Sequence, residues 1–145
     1  DVATLVAEHL GGSEARFAAR MTQQARDLGM ANTTFGNASG LPSAANRTTA
    51  YDMALLSIAL WRDFPDYYHY FSIESNRGVR NHNRLLGQIE GMDGLKTGYI
   101  RASGFNLATM TERNGVRYVV VVLGGESAAS RDAQVVYLTE AAFAN

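Results

Sequence analysis

Cysteine is absent from the 145 residues, which excludes disulfide frameworks, thiol nucleophiles and cysteine-based zinc sites. Proline occurs only twice, and charged residues make up 19% of the chain against 46% hydrophobic; a chain so composed folds rather than staying disordered. Neither sign of charge dominates. Thirteen Lys and Arg against fourteen Asp and Glu give a net charge of -1, and the arginines are spread along the chain, so no nucleic-acid footprint is present. The longest apolar run, residues 118–123, falls far short of the ~20 residues a spanning helix needs, and no charged n-region followed by an apolar h-region opens the chain. Lysine is the scarcest cation of all: Lys96 is alone among arginines.

The length is about one domain's worth, and a single compact unit is expected. Val2, Leu5, Val6 and Leu10 fall at helical spacing until Gly11 and Gly12 stop them. Ser13 predicts the N-cap of a second helix, on which Phe17, Met21, Gln24 and Leu28 form one stripe before Gly29. Residues 30–47 have turn chemistry without periodicity, which predicts a long ordered loop. Thr48 or Thr49 caps a third helix with Asp52 in its first turn and Met53, Leu56 and Leu60 on one face. Pro65 suits the first position of a short aromatic turn. Residues 71–73 and 77–80 are weak strand candidates. Residues 93–98 and 105–111 predict strands, and Asn114-Gly115 a hairpin turn into Val116–Leu123. The unbroken valines 119–122 predict a strand covered on both faces. Ser130 is read as the start of a last helix with Val135, Leu138, Ala142 and Phe143 on its apolar stripe.

Lys96-Thr97-Gly98 combines a point cation, a hydroxyl that donates and accepts, and a residue that lets another chain approach the backbone. On a strand it could hold an anionic, extended ligand. Side chains alternate along a strand, so Lys96 and Thr97 converge on one ligand only at an edge or beside a cleft. By itself the tripeptide reads more readily as an ordinary surface lysine than as a site.

Its surroundings, "GMDGLKTGYIRASGFNLATM", resemble the third active-site motif of the serine D-alanyl-D-alanine carboxypeptidases, the low-molecular-mass penicillin-binding proteins, whose signature set is S-x-x-K, S-x-N and K-T-G. "LGMANTTFGNASGLP", "TTAYDMALLSIAL" and "NHNRLLGQIEGMDGLKTGY" are similar to successive segments of that family, in its order. The resemblance implies an α/β fold, an antiparallel sheet flanked by helices, of the serine penicillin-recognising (β-lactamase/transpeptidase-like) type. It implies that residues 1–145 form the C-terminal portion of such a catalytic domain, N-terminally truncated, since neither S-x-x-K nor S-x-N occurs in the chain.

The activity implied for the parent is removal of the terminal D-Ala from peptidoglycan stem peptides through an acyl-enzyme, with β-lactams as acylating inhibitors and no metal or organic cofactor. By the same resemblance Lys96 and Thr97 would bind the substrate carboxylate and assist proton transfer. Gly98 would let the peptide pack against the strand, and the Tyr99 backbone N–H would form half of the oxyanion hole. The Ser39-Gly40-Leu41 turn would form part of the cleft wall. This chain alone is expected to be inactive. Its expected partners are the stem peptide, β-lactams and a complementing N-terminal fragment or a second copy, in an exported protein outside the membrane. A non-catalytic peptide-binding module and a related endopeptidase or β-lactamase are the alternatives. His9, His69 and His82 lack ligand spacing and read as ordinary packing or surface residues, as do Asn81, Asn83 and Asn106.

Overall fold

The computed structural model describes residues 1–144. They fall into two compact units, Asp1–Leu56 and the part from Ser57 onward.

In the first unit, helix α1 (Val2–Gly11) starts where the Asp1 side chain accepts the Ala3 N–H, and ends at Gly12 in the left-handed conformation, φ 74°. Helix α2 (Glu14–Asp27) is capped by Ser13 as expected. A Cβ on Gly11 would lie 2.8 Å from that of Phe17, so the glycine sets how closely the two helices meet. The apolar residues of α1 are not its buried face: only Ala7 is buried, while Val2, Leu5, Val6 and Leu10 stand open. The α2 stripe lines an apolar hollow of about 330 Å³ with Ala25, Met30 and Phe35.

The long loop is ordered by paired polar groups. Thr34 and Arg47 exchange backbone hydrogen bonds at 2.8 and 3.0 Å. Helix α3 (Ala50–Asp63) begins where the Thr49 hydroxyl accepts the Asp52 N–H. The Asp52 carboxylate reaches back to the loop and accepts the Thr33 hydroxyl at 2.7 Å and the Asn32 N–H at 2.8 Å. These bonds, foremost that of Thr33, hold the buried Asp52 carboxyl below the usual carboxylate range.

In the second unit, Pro65 occupies the first turn of α4 (Pro65–Tyr68), which runs into a 3₁₀ turn, His69–Ser72. The strand expected at residues 71–73 is therefore mostly helical, because the Pro65 turn continues through it. The second weak candidate proves to be a turn and the strand after it. Strands β1 (Ser75–Asn76) and β2 (Val79–Arg80) pair through Arg77 and Gly78, both at positive φ.

The main sheet is antiparallel in the order β3 (Met92–Ile100), β4 (Gly104–Arg113), β5 (Val116–Gly125), so β3 is an edge. Asn114 and Gly115, at φ 52° and 77°, make the expected hairpin turn. One face carries Leu107, Val120 and Val122 against Val135 of α5 (Ala128–Phe143). On the other, Met110 packs with Tyr68 and Leu95, joined by Phe71 and Val119. Both faces of the valine strand are thus covered, as its sequence requires. Helix α5 starts two residues earlier than expected, at Ala128: Ser127 is the N-cap, and Ser130 completes a reciprocal capping box. Its buried line is Arg131, Val135 and Thr139, whereas Leu138 is exposed.

Candidate functional site

Strand β3 is held at its start by charge and at its middle by main-chain pairing. Asp93 accepts the Tyr68 hydroxyl at 2.8 Å and pairs with Arg117, which also binds Glu112 and lies 5.1 Å from the Trp61 ring centroid. Burial, reinforced by the Asp93 carboxylate, pushes the Tyr68 hydroxyl far above its ordinary pKa, so it stays a donor. A Cβ on Gly94 would meet Phe71 at 2.8 Å, so the bare backbone here lets the 3₁₀ turn pack on the strand.

From Leu95 to Ile100 the pairing with β4 is regular. The Gly98 carbonyl accepts from the Asn106 side chain of β4 at 3.3 Å and so points inward. Successive residues of an antiparallel strand aim their main-chain groups in opposite directions, which turns those of Thr97 and Tyr99 to the open edge. The Lys96 ammonium donates to the Thr97 carbonyl at 2.6 Å, as this direction requires. Lys96 is exposed, with its head group over the edge. The Tyr99 ring lies 4.3 Å from that of Phe105, leaving its N–H as what it offers at the edge.

Beside this edge runs a groove of about 400 Å³, bounded by Tyr70, Phe71 and Val79 on one side and Leu95, Lys96 and Thr97 on the other. Arg80 and His82 also line it, and among the described residues no carboxylate does. In the sequence Arg80 is not singled out and His82 reads as an ordinary residue, because nothing in the spacing puts the short β1–β2 hairpin and the residues after it beside a later strand. The groove therefore offers cationic side chains and unpaired main-chain groups in one line, which suits an extended peptide bearing a carboxylate.

Gly98 has a further property. A Cβ built there would come no nearer than 3.9 Å to its neighbours, and its φ is not in the left-handed region. The fold itself has no need of a glycine at this position.

Ser39, Gly40 and Leu41 belong to the first unit. The Asn37 side chain accepts the Gly40 N–H at 2.9 Å and donates to the Leu41 carbonyl at 2.9 Å, and Asn46 binds the same carbonyl. Gly40 takes φ 75° there, and Leu41 is exposed. Among the described residues no cluster of His, Asp and Glu could hold a metal ion, and no helix is long and apolar enough to cross a membrane.

A family model described as D-alanyl-D-alanine carboxypeptidase matches residues 1–127. The chain is 31% identical over 152 positions to the D-alanyl-D-alanine carboxypeptidase DacF of Bacillus subtilis, covering 99% of this chain and 39% of that protein. To DacC of Escherichia coli, with the same description, it is 36% identical over 132 positions, 88% of this chain and 33% of the relative. Among solved structures, penicillin-binding protein D2 of Listeria monocytogenes in its cefotaxime-bound form is 34% identical with a TM-score of 0.89, over 99% of this chain and 60% of that one. Penicillin-binding protein 5 of Haemophilus influenzae reaches a TM-score of 0.90 at 28% identity, over 98% and 43%. The expected fold is borne out.

Proposed function

Because this chain belongs to the D-alanyl-D-alanine carboxypeptidase family, we propose that its β3 edge is the substrate-binding strand of a serine-type carboxypeptidase that removes the terminal D-Ala from peptidoglycan stem peptides. The observation that carries the reading is Gly98: the fold leaves room for a side chain there, so what the glycine accommodates is a ligand lying against the strand. The peptide adds to the sheet along β3, with its carboxylate at Lys96 and Thr97. The Tyr99 N–H donates to the scissile carbonyl oxygen as negative charge develops on it.

The nucleophile is not among these residues, since no S-x-x-K occurs in the chain. A serine and its lysine base must be supplied from outside this sequence, and residues 1–145 contribute the C-terminal portion of the catalytic domain. The protein works on the outer side of the membrane and is acylated by β-lactams when its nucleophile is present. By themselves these residues bind without turnover.

A titration of the isotope-labelled chain with a peptide ending in D-Ala-D-Ala, followed by amide NMR, tests this. Saturable shifts at Lys96, Thr97 and Tyr99 with no release of D-Ala are expected. Shifts confined to other residues overturn the groove assignment, and penicillin acylation of this chain alone, read by intact mass, overturns the absence of a nucleophile.

A further inference from the structure

Asn106 hydrogen-bonds to strand β3, to the β3–β4 turn, to β5 and to α5. Its Nδ2 lies 3.3 Å from the Gly98 carbonyl oxygen, 3.0 Å from that of Gly104 and 3.1 Å from the Ser103 hydroxyl, while its Oδ1 accepts the Gly124 N–H at 2.9 Å. Its backbone carbonyl accepts from the buried Arg131 of α5 at 3.2 Å.

Two features of the sheet explain why an asparagine fits. The β4–β5 register shifts between Phe105 and Leu107: one residue of β4 stands opposite two of β5, with Gly124 at φ 77°. Such a bulge interrupts the ladder, and the Asn106 oxygen supplies a partner for the Gly124 N–H. On the other side Gly98 is directly opposite Asn106, and a Cβ there would lie 3.9 Å from that of Asn106. The amide thus lies over bare backbone and reaches the Gly98 carbonyl. No side chain other than an amide offers both two donor hydrogens and an acceptor at this reach.

We infer that Asn106 is a positioning residue for the groove: by holding the Gly98 carbonyl and the bulge at Gly124, it fixes the direction in which the Thr97 and Tyr99 main-chain groups meet an edge-docked peptide. It acts through the strand and touches no ligand. The inference rests on the reading that the β3 edge holds a carboxylate-terminated peptide.

The substitution Asn106→Asp tests it, because the ionised carboxylate keeps the acceptor for Gly124 but sets an oxygen against the Gly98 and Gly104 carbonyls, whereas the protonated acid again donates one hydrogen bond. Peptide affinity is measured from the Thr97 and Tyr99 amide shifts, for variant and wild type, across the titration of the introduced acid. The ratio of variant to wild-type affinity is expected to fall about tenfold or more as the pH rises, and to recover on acidification. A flat ratio, or one that merely follows the thermal midpoint, overturns the proposal. If Asn106→Asp does not fold, Asn106→Ser is used, with a similar loss expected at every pH; unchanged affinity then overturns the proposal. Should wild type bind no peptide, the groove reading has failed. Ligand-free hydrogen exchange then decides for Asn106: pH-dependent loss of protection at Gly124, with altered Tyr99 shifts, supports the positioning, and unaltered exchange overturns it.

Discussion

The hollow of the first unit and the groove of the second are close in size, about 330 and 400 Å³, and opposite in chemistry. The hollow is walled mainly by Phe17, Met21, Leu28, Met30 and Phe35, on and around a helix whose main-chain groups are already satisfied within it. Arg20 and Gln24 also line it, and the rest of its wall selects by shape and apolar area. The groove runs along a sheet edge, where main-chain donors and acceptors are unpaired and two side chains, Lys96 and Arg80, are cationic. Volume does not distinguish a recognition site from a packing hollow. What sets the groove apart is the row of unpaired main-chain groups along the β3 edge.

The contrast is broken most severely by removing what anchors the edge. Asp93→Ala leaves the Tyr68 hydroxyl and the Arg117 guanidinium without their shared partner, and is expected to destabilise the second unit by about 2–3 kcal/mol, less than for a fully buried pair because both side chains are partly exposed. Urea unfolding measures this, and an unchanged midpoint would mean that the strand is held by pairing alone.

Next in size is Lys96→Ala, which removes a charge-assisted contact from an exposed site. Peptide affinity should fall about tenfold to a hundredfold with no loss of thermal stability; calorimetric titration and a melting curve together separate the two effects. If affinity is unmoved, the groove's charge does not recognise the carboxylate.

Gly98→Ala sharpens the comparison from the other side. The fold has room for the methyl group, so stability should hold or rise by about 0.5 kcal/mol. A peptide lying against the strand as proposed would meet the methyl group, and affinity should fall about tenfold, within the range for overpacking by one methyl group. A variant that binds as well as wild type would remove the central support for ligand docking against this strand.

The smallest effect concerns the first unit, where polar organisation lies at the Asp52 knot. The folded-state pKa of Asp52 is depressed, chiefly by the Thr33 hydroxyl, so its contribution is fully present above the unfolded-state pKa and is lost as pH falls through the lower folded value. Comparing urea midpoints at about pH 7 and about pH 3 should show a loss in wild type that Asp52→Asn lacks in part; identical acid sensitivity in the two proteins would take Asp52 out of the account.

The sequence alone determined those features whose physics is local. The Ser13 cap, Pro65 in a first helical turn, the Asn114-Gly115 hairpin and the strand carrying Lys96 each depend on bonds or dihedral preferences within a few residues, and each stands where its signal placed it, while of the two threonines open to cap α3 it is Thr49 that does so. Where two local signals compete, a local bond decides between them: Ser127 and Ser130 can both cap a helix, and their reciprocal capping box sets the start at Ala128. Long-range contacts decided that Arg131 is buried while Leu138 is exposed, and that Asp52 ties a loop nineteen residues back in sequence. They brought Arg80 and His82 to the strand of Lys96, and placed Asn106 opposite Gly98. Register between strands and the approach of a two-stranded hairpin depend on how side chains far apart in sequence fill shared space, and that information is spread over the whole core.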